Sequence, residues 1–216
     1  ALYAALRHRE APDPRLARAA CVVLVRFAQV YPLYATHQDQ PGRPKTLQAA
    51  DLRPPFPRGF GTAKWDRTAA QEVPLNLLIA YSSLRDDPAL AEAGQLLGES
   101  DPVARIERDL FRAAARFARD QPEEPSEAGL AVVRDLLAVG RVIGDDELVG
   151  EAARRLEVLL RRGFTHDGLW LGGRSDSHGR VVALIDGWIV PLLGRRPIGP
   201  EGRAMLALAR GAAGGG

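Results

Sequence analysis

The sequence predicts an all-α fold in which antiparallel helices are joined by short loops. Apolar residues recur at helical spacing through most of the 216 residues, whereas the alternation expected of strands is nearly absent. Capping residues, prolines and glycines punctuate the chain where one helix would end and the next begin. Because 46% of the residues are hydrophobic, we expect a packed core and one helical domain over residues 1–216, arranged as a bundle or as a ring of helical hairpins.

The N-terminal part contains one strong predicted helix and a long irregular segment. Pro14 suits the first turn of this helix, which should end near Tyr31. Its predicted apolar stripe consists of Leu16, Ala19, Ala20, Val23, Leu24 and Phe27. Residues 33–64 are rich in Pro, Gly, Gln and charge, which predicts a long ordered loop.

The later helices are predicted from their start and stop signals. A helix should run from Asp66 or Thr68 to about Leu84, with Pro74 early enough in it to be tolerated. Capping residues or prolines ahead of helical patterns mark further starts near Asp87, Asp101, Ser126, Asp145 and Pro200. Gly144 and Gly163 mark C-terminal ends. The run HGRVVALIDGWIVPLL, which begins at residue 178, also has the pattern of a helix.

Composition excludes several classes of partner and site. The net charge is +2, and no block of Lys and Arg alternates with aromatic residues, so we expect no nucleic-acid partner. Cys21 is the single cysteine, which excludes an internal disulfide, and its apolar neighbours predict a buried side chain. No apolar segment appears long enough to span a bilayer, and we expect no membrane insertion. The four histidines include no close pair at helical spacing, so we predict no metal site and no cofactor.

The stretch from Gly163 to Ile189 concentrates side chains that a helical core does not need. It holds two of the four His and two of the three Trp. Asp167 could orient an imidazole and raise its basicity. Trp170 would offer a flat wall for a sugar ring, and Arg174 would hold a carboxylate or sulfate. The alternative is a connector between helices, in which Trp170 covers the core and His178 is an early helix residue.

Two weaker groups of candidates lie upstream. Glu72 and Asn76 are one helical turn apart and are predicted to share a helix face among apolar residues, where polar groups need partners. Hydrogen bonds to neighbouring helix ends would explain them equally. Tyr34 and Trp65 bracket the long loop, whose aromatic and cationic residues suit an anionic saccharide but also describe an ordinary solvated loop.

Residues 136–182 carry a family resemblance. They read LLAVGRVIGDDELVGEAARRLEVLLRRGFTHDGLWLGGRSDSHGRVV. This run resembles the heparinase II/III-like polysaccharide lyases, in which helices of the types GLIAAGRVLGDPDYV and ARRLERLL precede a phrase close to DGxWxEGSPSYHxQ. Three upstream runs are similar to earlier helices of the family and occur in the family's order: 13–34, 77–90 and 104–118.

The resemblance implies an alpha/alpha toroid that cleaves uronic-acid polysaccharides by β-elimination. In that reaction the uronate carboxylate is neutralised, a Tyr or His removes the C5 proton, and a Tyr or His assists the departing glycosidic oxygen. A β-sheet domain normally follows the toroid. We expect this chain to lack that domain and its toroid to be incomplete. The resemblance also suggests a secreted or periplasmic protein.

The family phrase transfers to this chain only in part. The matching positions are Asp167, Gly168, Trp170, Gly173, Ser175 and His178. Ser177 stands where the family has Tyr, and Gly172 where it has Glu; a serine hydroxyl titrates far above the tyrosine pKa of about 10 and does not replace a phenol unaided. If the chain is a lyase, we predict His178 as the base with His166 as its partner. The predicted substrate-binding residues are Trp170, Arg174, Asp167, Ser177, Glu72, Asn76, Tyr34 and Trp65. The alternative is a catalytically degenerate helical module that binds a saccharide or a partner protein.

Overall fold

The computed structural model is mostly helical, which confirms the predicted all-α class. It describes residues 1–34, 36–38, 46–47, 60–61, 73–171 and 177–214. The described residues form two compact units: unit 1 runs up to Ala118, and unit 2 begins at Arg119.

The helices of unit 1 enclose a core of small and branched apolar side chains. They are α1 (Leu2–Glu10), α2 (Pro14–Val30), α3 (Leu75–Leu84), α4 (Pro88–Leu96), α5 (Pro102–Ile106) and α6 (Arg112–Arg119). Asp87 and Asp101 cap α4 and α5 as predicted, each accepting a main-chain N–H at 2.9 Å. A π-helical turn, Glu107–Phe111, interrupts what the sequence predicts as one helix between α5 and α6.

Helix α2 is buried on a face that differs from the predicted stripe. Its buried residues are Ala17, Ala20, Cys21, Leu24, Val25 and Ala28. Cys21 is a free, fully buried thiol, as predicted. Ala19 and Val23, which the prediction placed in the stripe, are exposed. The contacts of α2 with α1 and α4 bury small Ala and Cys side chains instead, because small side chains allow the helices to pack closely.

The stretch Pro14–Leu33 also differs from expectation in its hydropathy. By length and composition it could cross a membrane, with a mean hydropathy of 1.4. The side of α2 from Ala17 to Ala28 lies in the core of unit 1. The core helix of a globular protein meets the same two criteria, so the finding does not distinguish the two situations.

Helix α3 begins at Leu75, later than predicted. Pro74 is its N-cap residue, with φ −77° and ψ 77°. Proline disfavours the helical conformation of the residue before it, so the predicted helix does not run through Val73. Asn76 is exposed in the first turn, which corrects the expectation that it lies among apolar side chains. The predicted caps and Glu72 lie outside the described residues.

Three two-residue strands occur within the segment predicted as a loop. They are β1 (His37–Gln38), β2 (Thr46–Leu47) and β3 (Phe60–Gly61). All pairs are antiparallel in the order β2-β1-β3, and His37 is opposite both Leu47 and Gly61. Strands this short carry too few residues for an alternating pattern to be recognised.

Unit 2 is built on an antiparallel helix pair. Its helices are α7 (Glu127–Ile143), α8 (Asp146–Arg162), α9 (Ser177–Leu184), α10 (Val190–Leu193) and α11 (Pro200–Gly214), with a π-helical turn, Ile185–Ile189, between α9 and α10. Ser126 caps α7, and Gly144 ends it with φ 71°, both as predicted. Asp145, predicted to bring negative charge to the start of α8, is the N-cap residue of that helix. Gly140 permits the close approach of α8, since a Cβ there would lie 2.7 Å from a methyl group of Val149.

Candidate functional site

The chain after α8 forms a compact connection, residues 163–171. Phe164 and Trp170 form an isolated antiparallel bridge that closes it. Gly168 turns the chain with φ 87°, a left-handed value that glycine adopts without strain. A Cβ at Gly168 would lie 2.6 Å from the carbonyl carbon of Leu208, so the connection packs directly on the main chain of α11.

Thr165 organises the exposed tip of this connection. Its hydroxyl donates to the Asp167 carboxylate and accepts the Leu169 N–H at 2.9 Å. The hydroxyl is the main cause that lowers the pKa of Asp167 below its usual value, so the carboxylate is ionised and engaged within the turn. His166 is exposed beside it and makes no hydrogen bond to any residue that the structure describes.

Trp170 lies in the core of unit 2. The side chain is 7% exposed, and its ring packs edge-on against Phe164 with the centroids 5.0 Å apart. The indole N–H is buried and has no hydrogen-bond partner in the described part of the chain. The burial of Trp170 agrees with the alternative in which this stretch connects two helices and Trp170 covers the core. The indole ring has no open face for a sugar.

His178 fastens the connection to α11 through both ring nitrogens. Nδ1 lies 3.3 Å from the Trp170 main-chain nitrogen and accepts its N–H. Nε2 lies 3.0 Å from the Ala209 carbonyl oxygen. Since a carbonyl only accepts, these contacts fix the neutral tautomer with the proton on Nε2. The imidazole therefore serves as acceptor at one end and donor at the other, and both partners are main-chain groups.

The serine before His178 is buried rather than open to a substrate. Ser177 is 2% exposed at the start of α9, and its hydroxyl accepts from the Arg180 guanidinium at 3.3 Å. Arg180 also lies 3.5 Å from the Glu127 carboxylate. Arg174, Glu72 and Trp65, which complete the predicted site, lie outside the described residues.

The predicted candidates are divided between the two units. Tyr34 and Asn76 belong to unit 1; Tyr34 is 41% exposed, and its ring meets that of Tyr31 edge-on at 6.0 Å. Unit 2 brings five of the candidates into one neighbourhood around the connection. They are His166, Asp167, Trp170, Ser177 and His178.

Sequence reasoning missed a buried carboxylate in α7. Asp135 is 1% exposed, and its Oδ1 accepts from Nε and Nη2 of Arg134 at 2.8 and 2.6 Å. Burial raises the pKa of Asp135 from 3.8 to about 7, against the opposing effect of the guanidinium. The signal in the sequence was the adjacent Arg and Asp inside the apolar run LAVVRDLLAV.

A second polar cluster lies at the π-helical turn of unit 1. The buried Tyr81 hydroxyl donates to the Glu107 carboxylate at 2.7 Å, and the Arg85 guanidinium lies 3.2 Å from the same oxygen. Burial and then the carboxylate raise the pKa of Tyr81 well above its usual value. The phenol is therefore a fixed donor rather than a base, and no local pattern in the sequence marked it.

A cleft in unit 2 runs between residues 122–125 and α8. Its empty volume, including the open mouth, is about 290 Å³. Val158 and Leu159 contribute to its mostly apolar lining, which also includes Arg155 and Arg162. Arg155 is 7% exposed; its guanidinium donates to the Gln121 carbonyl at 3.3 Å and lies 2.8 Å from the Glu151 carboxylate, so its charge is paired within unit 2.

Among the described residues, no group of three or more His, Cys, Asp or Glu could hold a metal ion. Comparisons with protein-family models, with curated proteins and with solved structures found no match to this chain.

Proposed function

We propose that this chain is a heparinase II/III-like helical module, part of an incomplete alpha/alpha toroid, that binds an acidic polysaccharide without cleaving it. The resemblance of residues 136–182 and of the upstream runs supports the ligand class. The proposed absence of cleavage is supported by the hydrogen bonds of His178, because main-chain groups engage both of its ring nitrogens.

A general base needs a free lone pair within about 2.6–3.2 Å of the proton that it removes. In His178 the lone pair of Nδ1 accepts the Trp170 N–H, and Nε2 carries the proton given to Ala209. Action as a base would therefore require the Trp170 hydrogen bond to break. Ser177 offers a buried hydroxyl in place of the family's phenol, so it supplies no second proton carrier.

The test measures binding and cleavage on the same samples. Polygalacturonate, alginate and heparin are titrated against the protein by calorimetry, and each mixture is followed by absorbance for unsaturated uronate. We expect binding of at least one polymer with no rise in absorbance. A rise in absorbance with any of the polymers would establish cleavage instead, and binding to none of the three polymers would refute the ligand class.

A partner protein is the second candidate, favoured by an apolar surface beside the connection. Leu169, Leu171 and Leu208 are 47%, 58% and 48% exposed, and Gly168 joins them by packing on Leu208. Sedimentation tests the simplest partner, a second copy of this chain. Self-association that Leu171→Asp removes, and that the same change at Leu96 in unit 1 leaves intact, would support it; a monomer at all concentrations would exclude this partner.

A further inference from the structure

The outer side of α2 in unit 1 carries arginines and no acid. The helix reads PRLARAACVVLVRFAQV and contains Arg15, Arg18 and Arg26 but neither Asp nor Glu. All three arginines are exposed, whereas the opposite side, from Ala17 to Ala28, is buried in the core. We call this set of three arginines the acid-free face.

The three cations lie on one side of the helix. At about 100° per residue, Arg18 lies roughly 60° from Arg15 in one direction around the helix axis, and Arg26 lies roughly 20° from Arg15 in the other direction. With a rise of about 1.5 Å per residue, the set extends for about 16 Å along the helix. The arginines thus follow a line rather than converge on one point.

These charges are uncompensated within the described part of the chain. The nearest acid along the chain, Asp13, uses its carboxylate to cap α2 through the main-chain N–H of Arg15 at 2.9 Å. The Arg26 guanidinium donates to the neutral Gln29 amide at 3.2 Å. None of Arg15, Arg18 and Arg26 forms an ion pair with a described residue.

Some exposed arginines elsewhere in the protein are neutralised by nearby carboxylates. Arg210 forms a two-pronged pair with Asp186, and Arg154 pairs with both Glu123 and Glu151. Clustered cations without such partners attract anions from solution. The acid-free face therefore has the charge of a binding surface for an anion.

We propose that the acid-free face of α2 binds a linear acidic polysaccharide that lies along the helix, with its carboxylate or sulfate groups contacted by Arg15, Arg18 and Arg26. The choice of ligand rests on the proposed function. A linear polymer fits because successive anionic groups can meet cations spaced along a line, and guanidinium groups pair with carboxylate or sulfate through two hydrogen bonds. The partly exposed Tyr34 lies just beyond the C-terminal end of α2.

The structure disfavours two other polyanionic partners. An amphipathic helix binds a bilayer by inserting its apolar face, and the apolar face of α2 is occupied by the core of unit 1. Single-stranded nucleic acid is held by aromatic rings interleaved with cations, and no aromatic residue lies between Arg15 and Arg26 on the exposed side.

The experiment compares the full chain with two triple variants. In the first, Arg15, Arg18 and Arg26 are each changed to Gln. In the control, three other exposed arginines without ion pairs among the described residues are changed to Gln: Arg116, Arg195 and Arg203. The two variants lose the same charge, and circular dichroism checks that each remains folded.

Affinities for polygalacturonate and heparin are measured by calorimetry at two salt concentrations. We expect the first variant to bind about tenfold more weakly and with a smaller salt dependence, and the control to stay within about twofold of wild type. Equal weakening of both variants, or none, would overturn the site while the proposed function stands. Failure of the wild type to bind either polymer would instead overturn the proposed function.

A further pair of probes decides the ligand class. Single-stranded DNA and anionic lipid vesicles are titrated under the same conditions. Binding of either one as tightly as the polysaccharides, with the same dependence on the three arginines, would show a general anion surface and overturn the saccharide assignment. Weaker binding of both supports it.

Discussion

Replacement of His178 by alanine should destabilise unit 2 by about 2–4 kcal/mol. The substitution removes the Nδ1 contact with the Trp170 N–H at 3.3 Å and the Nε2–H contact with the Ala209 carbonyl at 3.0 Å. A neutral hydrogen bond contributes about 1 kcal/mol net, and leaving its buried partner unsatisfied costs about 1–3 kcal/mol. If the longer contact to Trp170 is assigned about 1 kcal/mol and the shorter contact to Ala209 the full range of about 1–3 kcal/mol, the sum is about 2–4 kcal/mol. Such a loss is a large fraction of a domain's total stability of about 5–15 kcal/mol.

Urea unfolding followed by circular dichroism and tryptophan fluorescence measures this loss. The midpoint should fall while the slope with urea concentration stays unchanged, since the substitution alters stability rather than the surface exposed on unfolding. The matched control is His166→Ala. His166 is exposed and unbonded among the described residues, so its removal should change stability by less than about 0.5 kcal/mol.

The two histidines also separate a structural role from a catalytic one. An unchanged midpoint for His178→Ala would refute the argument that its hydrogen bonds hold the 163–171 connection on α11. An unchanged midpoint together with lost formation of unsaturated uronate would make His178 a base. Equal destabilisation by His178→Ala and His166→Ala would show that the hydrogen bonds of His178 do not account for the loss of stability.

Four further substitutions test other parts of the fold. Gly168→Ala should lower stability by more than about 2 kcal/mol, because φ is 87° and the new Cβ would meet the main chain of α11 at 2.6 Å. Gly179→Ala, in open space within α9, should raise it by about 0.5–1 kcal/mol, and thermal unfolding compares the two. Tyr81→Phe should cost about 1.5–3 kcal/mol by removing the hydrogen bond to the Glu107 carboxylate, and a urea midpoint equal to that of wild type would contradict this. The pKa of Asp135 is raised from 3.8 to about 7 in the folded state, so its proton stabilises the fold below about pH 4 and this stabilisation is lost as the pH rises to 7. The loss is at most about 4 kcal/mol, and Asp135→Asn should flatten the pH dependence of the urea midpoint between pH 4 and 8.

The helix boundaries of unit 2 were predictable because their signals are local. Ser126 and Asp145 cap the helices that follow them, and Gly144 takes a left-handed conformation that glycine adopts freely. The start of α3 was also a local matter, but the prediction considered only the tolerance of proline in a first turn and not its effect on Val73. The two π-helical turns were not predictable, since packing around the helix rather than a residue pattern accommodates the extra residue.

The site could be located in the sequence but not described from it. The stretch after Gly163 was identified from its unusual composition, and five of its residues do lie together in unit 2. The burial of Trp170 and the bond from His178 to Ala209, 31 residues away, depend on how α11 packs. Sequence spacing carries no information on such a contact, so the choice between site and connector had to come from the structure.

The features of the 163–178 stretch that suggested chemistry have structural reasons in unit 2. Gly168 is required where the chain turns with positive φ against α11. Trp170 closes the core with Phe164. His178 is suited to its position because a neutral imidazole is a rigid ring with a donor at one end and an acceptor at the other, which matches a carbonyl on α11 and an N–H in the connection. These three positions also match the lyase phrase, so packing in unit 2 accounts for the residues found there without a catalytic role. The residues at these positions therefore have a structural explanation in this chain, and evidence for cleavage must come from the absorbance assay.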